Sequence, residues 1–203
     1  MMGSEFLEVL AEHGPARLVR DDSADIARRF EVHHTDPDGL ACRAIYPQQR
    51  FFDAISDYYA CVLDAVDESV RETLETGFKW LLAMSDRDPT AMEPLMTDGF
   101  VFVDDRSLGW PELTKQGFLD ATAAARGTEG LHLVRMFHVV SARGAVSTTG
   151  AWTENFGQWQ EYELGVAVNT VADGRIDRTE FIPVERLGDA LRAFRVLTGE
   201  QPR

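Results

Sequence analysis

Two cysteines in 203 residues, Cys42 and Cys61, are too few for a disulfide framework, and neither forms a CxxC pair or lies beside paired histidines. Thiol-built metal and redox sites are therefore disfavoured. Positive charge is also scarce. Twenty Lys and Arg stand against 34 Asp and Glu, a net charge of −14. A phosphate backbone or an anionic bilayer would be repelled by such a surface, so neither nucleic acid nor membrane is an expected partner. No apolar run reaches the roughly 20 residues a membrane helix needs, and no basic stretch followed by an apolar one opens the chain. A Gly-rich phosphate loop, a GxSxG elbow and an HExxH pair are all missing, so nucleotide binding and nucleophilic hydrolysis have no support. No cofactor is expected, and an acidic cytoplasmic protein is the plain expectation.

What is present fits a globular chain. The hydrophobic share of 44% is ample for a core, and the length suits one domain plus an accessory segment. The clearest helix is Glu68 to Ser85, where Val70, Leu74, Phe78, Leu81 and Leu82 keep helical spacing. Trp80 and Met84 widen its apolar face, so two surfaces are expected to bury it. Asp88 is placed to cap a second helix with Pro89 at its first position, and Pro94 should kink that helix or delay its start. In "GFVFVDD", Phe100 and Phe102 alternate with Val101 and Val103, predicting a strand buried on both faces and ending at Asp104. "TKQGFLDATAAAR" predicts a third helix capped by Thr114, with Phe118 and Leu119 inward. The strands "LHLVRMFHVVSAR", "GAVSTTGAWTENF", "EYELGVAVNTV" and "RIDRTEFI" follow, then a final helix from "VERLGDALRAFRVL". Helices followed by a run of antiparallel strands predict an α+β fold: a curved antiparallel sheet wrapped by three N-terminal helices, a cone with one pocket.

One phrase occurs twice. "DPDGLACRAIYPQQRFFDA" (36–54) is echoed by "VADGRIDRTEFIPVERLGDA" (171–190). Gly39 and Arg43 are spaced like Gly174 and Arg178. After a one-residue gap, Pro47, Arg50, Asp53 and Ala54 keep the spacing of Pro183, Arg186, Asp189 and Ala190. Each copy predicts a hairpin, a Pro and a helix, at a displacement of about one domain, the trace that tandem duplication leaves. Residues 1–63 are accordingly expected to be an accessory segment, the last hairpin and helix of a preceding repeat, with 64–203 as the cone domain. The opening "MMGSEF" resembles a start codon plus cloning scar, which would make the chain a cut from a longer protein.

The element order, the phrase Val103, Asp104, Arg106, Leu108, Gly109, Trp110 and the phrase Asp173, Gly174, Arg175, Ile176, Arg178, Glu180 resemble the nuclear transport factor 2-like, or SnoaL-like, superfamily. The closer likeness is to an actinobacterial group often found at the C-terminus of cyclase-like or ATPase-like signalling proteins. Asp105 and Ser107 depart from that group, which has His and Pro there. The resemblance spans about residues 68–197. It implies a cone fold but no single chemistry, because the superfamily includes enzymes, binding domains and interaction modules.

Candidates for chemistry follow from strand alternation. Asp104 and Arg106 share a face, as a general base with an anion-steadying partner, or as a structural pair fixing the loop to Trp110. His132 and His138 fall on one face with Val134, Met136 and Val140, so His138 is a pocket acid or base candidate. A metal pair would need closer ligands and a third donor, so no metal is expected. Trp152 and Glu154 share a face and Tyr162 opens the next strand, an aromatic wall with one carboxylate. A carboxyl in such a wall would have a raised pKa. Phe102, Phe118, Trp80 and Trp110 are the remaining apolar wall candidates, although tryptophans could equally plug the cone. Glu180 is a ligand candidate or a partner of Arg178.

Three functions stay open: binding of a small apolar or amphipathic molecule, a cofactor-free isomerase, dehydratase or polyketide-cyclase-type enzyme, and a homodimerisation module. A homodimer is the expected assembly. Deletion of residues 1–63 is expected to leave a cooperative thermal melt in the remainder. Loss of that melt would show that the first hairpin belongs to the same core.

Overall fold

The computed structural model describes residues 7–21, 29–35, 38–107, 109–124, 132–155 and 158–199. The chain divides into two compact units between Asp67 and Glu68. The division falls a few residues beyond the expected one because the first helix runs on to Ala65.

In the first unit, β1 (Leu7–His13), β2 (Ala16–Asp21), β3 (Arg29–Thr35) and β4 (Ala41–Pro47) form an antiparallel meander in sequence order. Helix α1 (Phe51–Ala65) lies across β2 and β3, with the Phe51 ring stacked on Phe30 at 3.9 Å between centroids. Phe30 and Val32 face this helix, so by alternation Glu31 lies on the other side of the sheet. Its carboxylate is wholly buried, yet Arg43, His33 and Arg29 all bond it. Burial alone would raise its pKa. Hydrogen bonds from Arg43 and His33, and the charges of Arg43 and Arg29, bring it below the ordinary value instead.

The second unit holds α2 (Glu68–Asp86), α3 (Pro89–Met92), β5 (Met96–Asp104), β6 (Leu113–Thr114), α4 (Lys115–Ala124), β7 (His132–Ser141), β8 (Gly144–Asn155), β9 (Gln158–Ala172), β10 (Arg175–Ile182) and α5 (Leu187–Thr198). The local signals act as their chemistry requires. Asp88 caps α3 by accepting from the Thr90 N–H at 3.0 Å, with Pro89 at the first position. Pro94 falls in a short 3₁₀ turn at Glu93–Leu95 that ends the helical stretch. Phe100 and Phe102 are buried, whereas Val101 and Val103 are only partly so, so β5 has one buried face rather than two.

The sheet is curved and runs β6-β5-β10-β9-β8-β7. All neighbours are antiparallel except β10 and β5, which run parallel. On the inner face, Phe100, Phe102, Ala167 and Phe181 pack with Trp80 of α2 and Phe118 of α4. Trp80 stacks on Phe118, and the Phe78 ring meets Phe137 of β7 edge-on. The outer face is covered as well. Val146, Val166, Val168 and Ile182 pack against Ala190 and Phe194 of α5. The fold is α+β as expected, but the final helix lies opposite the other three.

The repeated phrase has a geometric counterpart. Arg50 and Arg186 precede their helices with nearly identical torsions (φ −108°, ψ 29° and φ −105°, ψ 29°). Each donates Nε to an Asp three residues on, Asp53 at 2.5 Å and Asp189 at 2.6 Å. The match extends further than one hairpin: in both units a four-stranded meander leads into a helix lying across its two middle strands.

Truncating Phe194 removes the ring that joins α5 to the outer face. Phe194→Ala is expected to lower unfolding stability by about 3–5 kcal/mol, measured by denaturant titration of the intact chain.

Candidate functional site

The end of β5 sets the site. Asp104 is the last strand residue, and its carboxylate is 1% exposed. It accepts from Arg106 Nε at 2.7 Å, Arg106 Nη2 at 2.6 Å, and the backbone N–H groups of Arg106 and Trp110, both at 3.2 Å. An ionised carboxylate has about four acceptor positions, so this one is saturated. Burial of the carboxyl by itself would raise its pKa. Arg106's hydrogen bonds and charge, then the two backbone donors, outweigh burial and hold it below the ordinary value.

Two glycines let this arrangement close. A Cβ at Gly109 would lie 2.6 Å from Asp104 Cγ, so only glycine lets the loop wrap the carboxylate this tightly. On β9 the register skips from Thr149↔Gly165 to Gly150↔Glu163, leaving Leu164 as a bulge. The Leu164 carbonyl, turned from the ladder, accepts from Arg106 Nη1 at 2.8 Å. Gly165 has φ +126°, and a Cβ there would lie 2.6 Å from the Ile182 carbonyl oxygen. Arg106 also lies over the Phe181 ring, 4.9 Å from its centroid.

Beside this pair is a cavity of about 200 Å³. Phe102, Phe118 and Phe181 supply its aromatic wall, with Trp110 at the rim, 43% exposed. Met84, Arg87, Thr122, Leu133 and Leu164 complete it. The volume is below the roughly 300–1,000 Å³ typical of drug-sized sites, so a single-ring molecule is the right scale.

The sequence candidates separate sharply. Asp104, Arg106, Phe102, Phe118 and Trp110 line the cavity. Trp80 lies in the core, against Phe100 and Phe118. His138 occupies a bulge in β7, between the pairs Phe137↔Ser147 and Val139↔Val146, which breaks the alternation that would group it with Val140. It hydrogen-bonds Thr148 at 2.8 Å on the outer face, and burial of part of its ring lowers its pKa. His132 pairs with Trp152 across β7 and β8, and by alternation both also face outward. Glu180 bonds Arg178 at 3.2 Å along the same strand, rather than across strands, and does not line the cavity. The side chains of Glu154 and Tyr162 lie outside the described residues. Among the described residues, no group of three His, Cys, Asp or Glu could hold a metal ion, and no helix is long and apolar enough to cross a membrane.

Of the lining residues, Met84, Arg87, Thr122, Leu133, Leu164 and Phe181 were missed from the sequence. Phe181 alternates with Glu180 and Ile182 on a predicted strand and was legible in principle. The Leu164 bulge carries no signal beyond the neighbouring Gly165.

The element order, sheet order and cavity between sheet and helices match the α+β cone that the resemblance to the nuclear transport factor 2-like, or SnoaL-like, superfamily implies. No protein-family model and no curated protein matches the sequence. Solved structures similar in fold include the BvnE pinacolase of Penicillium brevicompactum, at 15% identity, over 66% of this chain and 97% of that one, with a TM-score of 0.49. An LEH-like epoxide hydrolase of M. tuberculosis matches at 14% identity, over 64% and 98% of the two chains, with a TM-score of 0.42. The Δ5-3-ketosteroid isomerase of Mycobacterium sp. matches at 16%, over 55% and 92%, with a TM-score of 0.44. Likeness at this level extends to fold alone.

Breaking the ion pair from one side leaves a buried charge. Arg106→Ala is expected to cost about 3–5 kcal/mol, read by denaturant unfolding. Because Asp104's folded pKa is lowered, its stabilisation is full above the unfolded value and is lost as pH falls through the folded one. The acid limb of the stability–pH curve should therefore flatten in Asp104→Asn.

Proposed function

We propose that the second unit is a noncatalytic binding domain for a small, mainly apolar molecule held between Phe102, Phe118 and Phe181. One observation carries this reading: Asp104, the single carboxylate lining the cavity among the described residues, is held ionised and has every acceptor position filled. A general base needs an open lone pair near the proton it takes, and a general acid needs a proton to give. Asp104 offers neither. His138, the other titratable candidate with a described side chain, bonds Thr148 on the opposite face. What remains facing the cavity is aromatic and aliphatic surface with a few donors, the composition of a binding site.

The enzymatic alternative would require Arg106 to release Asp104 when a substrate arrives. The Gly109 wrap and the Leu164 carbonyl both hold the pair in place, so that release would disrupt three elements together.

Filling the cavity tests the proposal. Met84→Phe is expected to fold normally and to abolish binding of single-ring probes such as toluene or phenol, followed by ligand-observed NMR. Native mass spectrometry of the parent chain should show a small molecule at one per chain. Catalytic turnover by the parent, lost in Asp104→Asn, would sink the reading.

A further inference from the structure

The middle of the inner sheet face is built from small side chains. Strand β8 presents Ala145, Ser147, Thr149 and Ala151 there, and β9 presents Gly165, Ala167 and Asn169, because the alternate residues Val146, Val166 and Val168 pack under α5. Small residues by themselves define no site, but the polar members of this patch are not satisfied. Among the described residues, Ser147 Oγ, Thr149 Oγ1 and Asn169 Nδ2 have no hydrogen-bond partner, although Ser147 and Thr149 are 0% exposed and Asn169 3%. The Nε1–H of Trp80 has none either, and the buried Trp80 ring packs in one cluster with Ala167. A buried polar atom without a partner is costly, and native interiors satisfy nearly all of theirs.

The strand register gathers these atoms. Ser147 lies directly opposite Ala167, whose neighbours on the same face of β9 are Asn169 and Gly165, and Gly165 pairs with Thr149. Asn169 Oδ1 accepts from the Thr179 hydroxyl at 2.9 Å, which fixes the amide and leaves Nδ2 to donate elsewhere. The patch also adjoins the cavity. Ala167 pairs with Phe181 and Ala151 with Leu133, and both of those partners line it. Arg135, opposite Thr149, is engaged in interactions of its own.

The partner such a patch calls for is an acceptor. Indole and amide N–H groups can only donate, and the Ser147 and Thr149 hydroxyls can donate as readily as accept. A carbonyl oxygen offers two lone pairs and brings no proton that needs a place. A ligand hydroxyl would add a donor to a donor-rich patch, and an ionised carboxylate would have to bury its charge. We propose that this patch is the polar end of the site and binds the carbonyl oxygen of a neutral, single-ring ketone, whose ring lies among Phe102, Phe118 and Phe181. This deepens the binding reading above and rests on it.

The test uses the intact chain and probes matched in shape: acetophenone against α-methylstyrene, and cyclohexanone against methylenecyclohexane, with affinities from ligand-observed NMR. In each pair a C=CH2 group replaces C=O. At least one ketone is expected to bind about ten-fold or more tightly than its alkene, because the alkene leaves the buried donors unpaired. The bound ketone's infrared C=O stretch should fall below its value in an apolar solvent, the mark of a hydrogen-bonded carbonyl. The double variant Ser147→Ala/Thr149→Val removes both hydroxyls at little change in volume. Its melting temperature should be unchanged or raised while the preference for the ketone shrinks, and either single substitution serves if the pair misfolds. Ketone and alkene binding alike, as a firmly held water on the patch would produce, would overturn the carbonyl inference and leave the binding reading standing. A ketone preference indifferent to these variants would do the same. If no probe of either kind binds, the binding reading itself fails and takes this inference with it.

Discussion

A buried carboxylate is costly unless it is paired and its remaining lone pairs are satisfied. The second unit is organised around meeting that condition for Asp104. Its partner Arg106 lies two residues on, the loop returns at Gly109 so that Trp110 can donate, and a bulge in β9 turns the Leu164 carbonyl towards the same guanidinium. One ion pair thus joins the end of β5, the loop beyond it and the middle of β9. Those are also three walls of the cavity. The charge that holds them in register is, for the same reason, withdrawn from proton chemistry.

The first unit meets the same constraint differently. Glu31 is as buried as Asp104, but its partners come from its own strand and the neighbouring one: Arg29 and His33 flank it, and Arg43 reaches across from β4. No loop is tied down by that cluster. Two similar meanders, each leading into a helix with an Arg–Asp pair at its start, therefore put their buried acid to different uses. In the second the pairing also ties a loop to the wall of the cavity.

Much of the fold could be read along the chain because its signals are local. Asp88 and Pro89 start a helix and Pro94 ends the helical stretch wherever the rest of the protein goes, and "RIDRTEFI" spans the whole of β10. The echo between residues 36–54 and 171–190 was legible because a turn glycine, a proline and an Arg–Asp pair at i, i+3 fix a hairpin and a helix start from nearby residues. The two strands preceding the first copy share no such residues with their counterparts in the second unit, so the common meander was not visible until its hydrogen bonds were.

The site was legible only in part. Asp104, Arg106 and Trp110 lie within seven residues, so alternation and loop length could associate them, and Phe102 and Phe118 followed from their apolar positions. His138 does share a face with His132 and Met136, but alternation cannot say which face of the sheet meets the cavity, and theirs is the outer one. Arg87 was passed over because a helix end shows its handedness only in torsion angles. By itself, the sequence determined most of the elements, the class of fold and the net acidic charge, since these depend on composition and short spacings. Tertiary structure alone decided which charges meet, which face each strand presents, and that Asp104 is already fully bonded, because those depend on register between residues far apart in the chain.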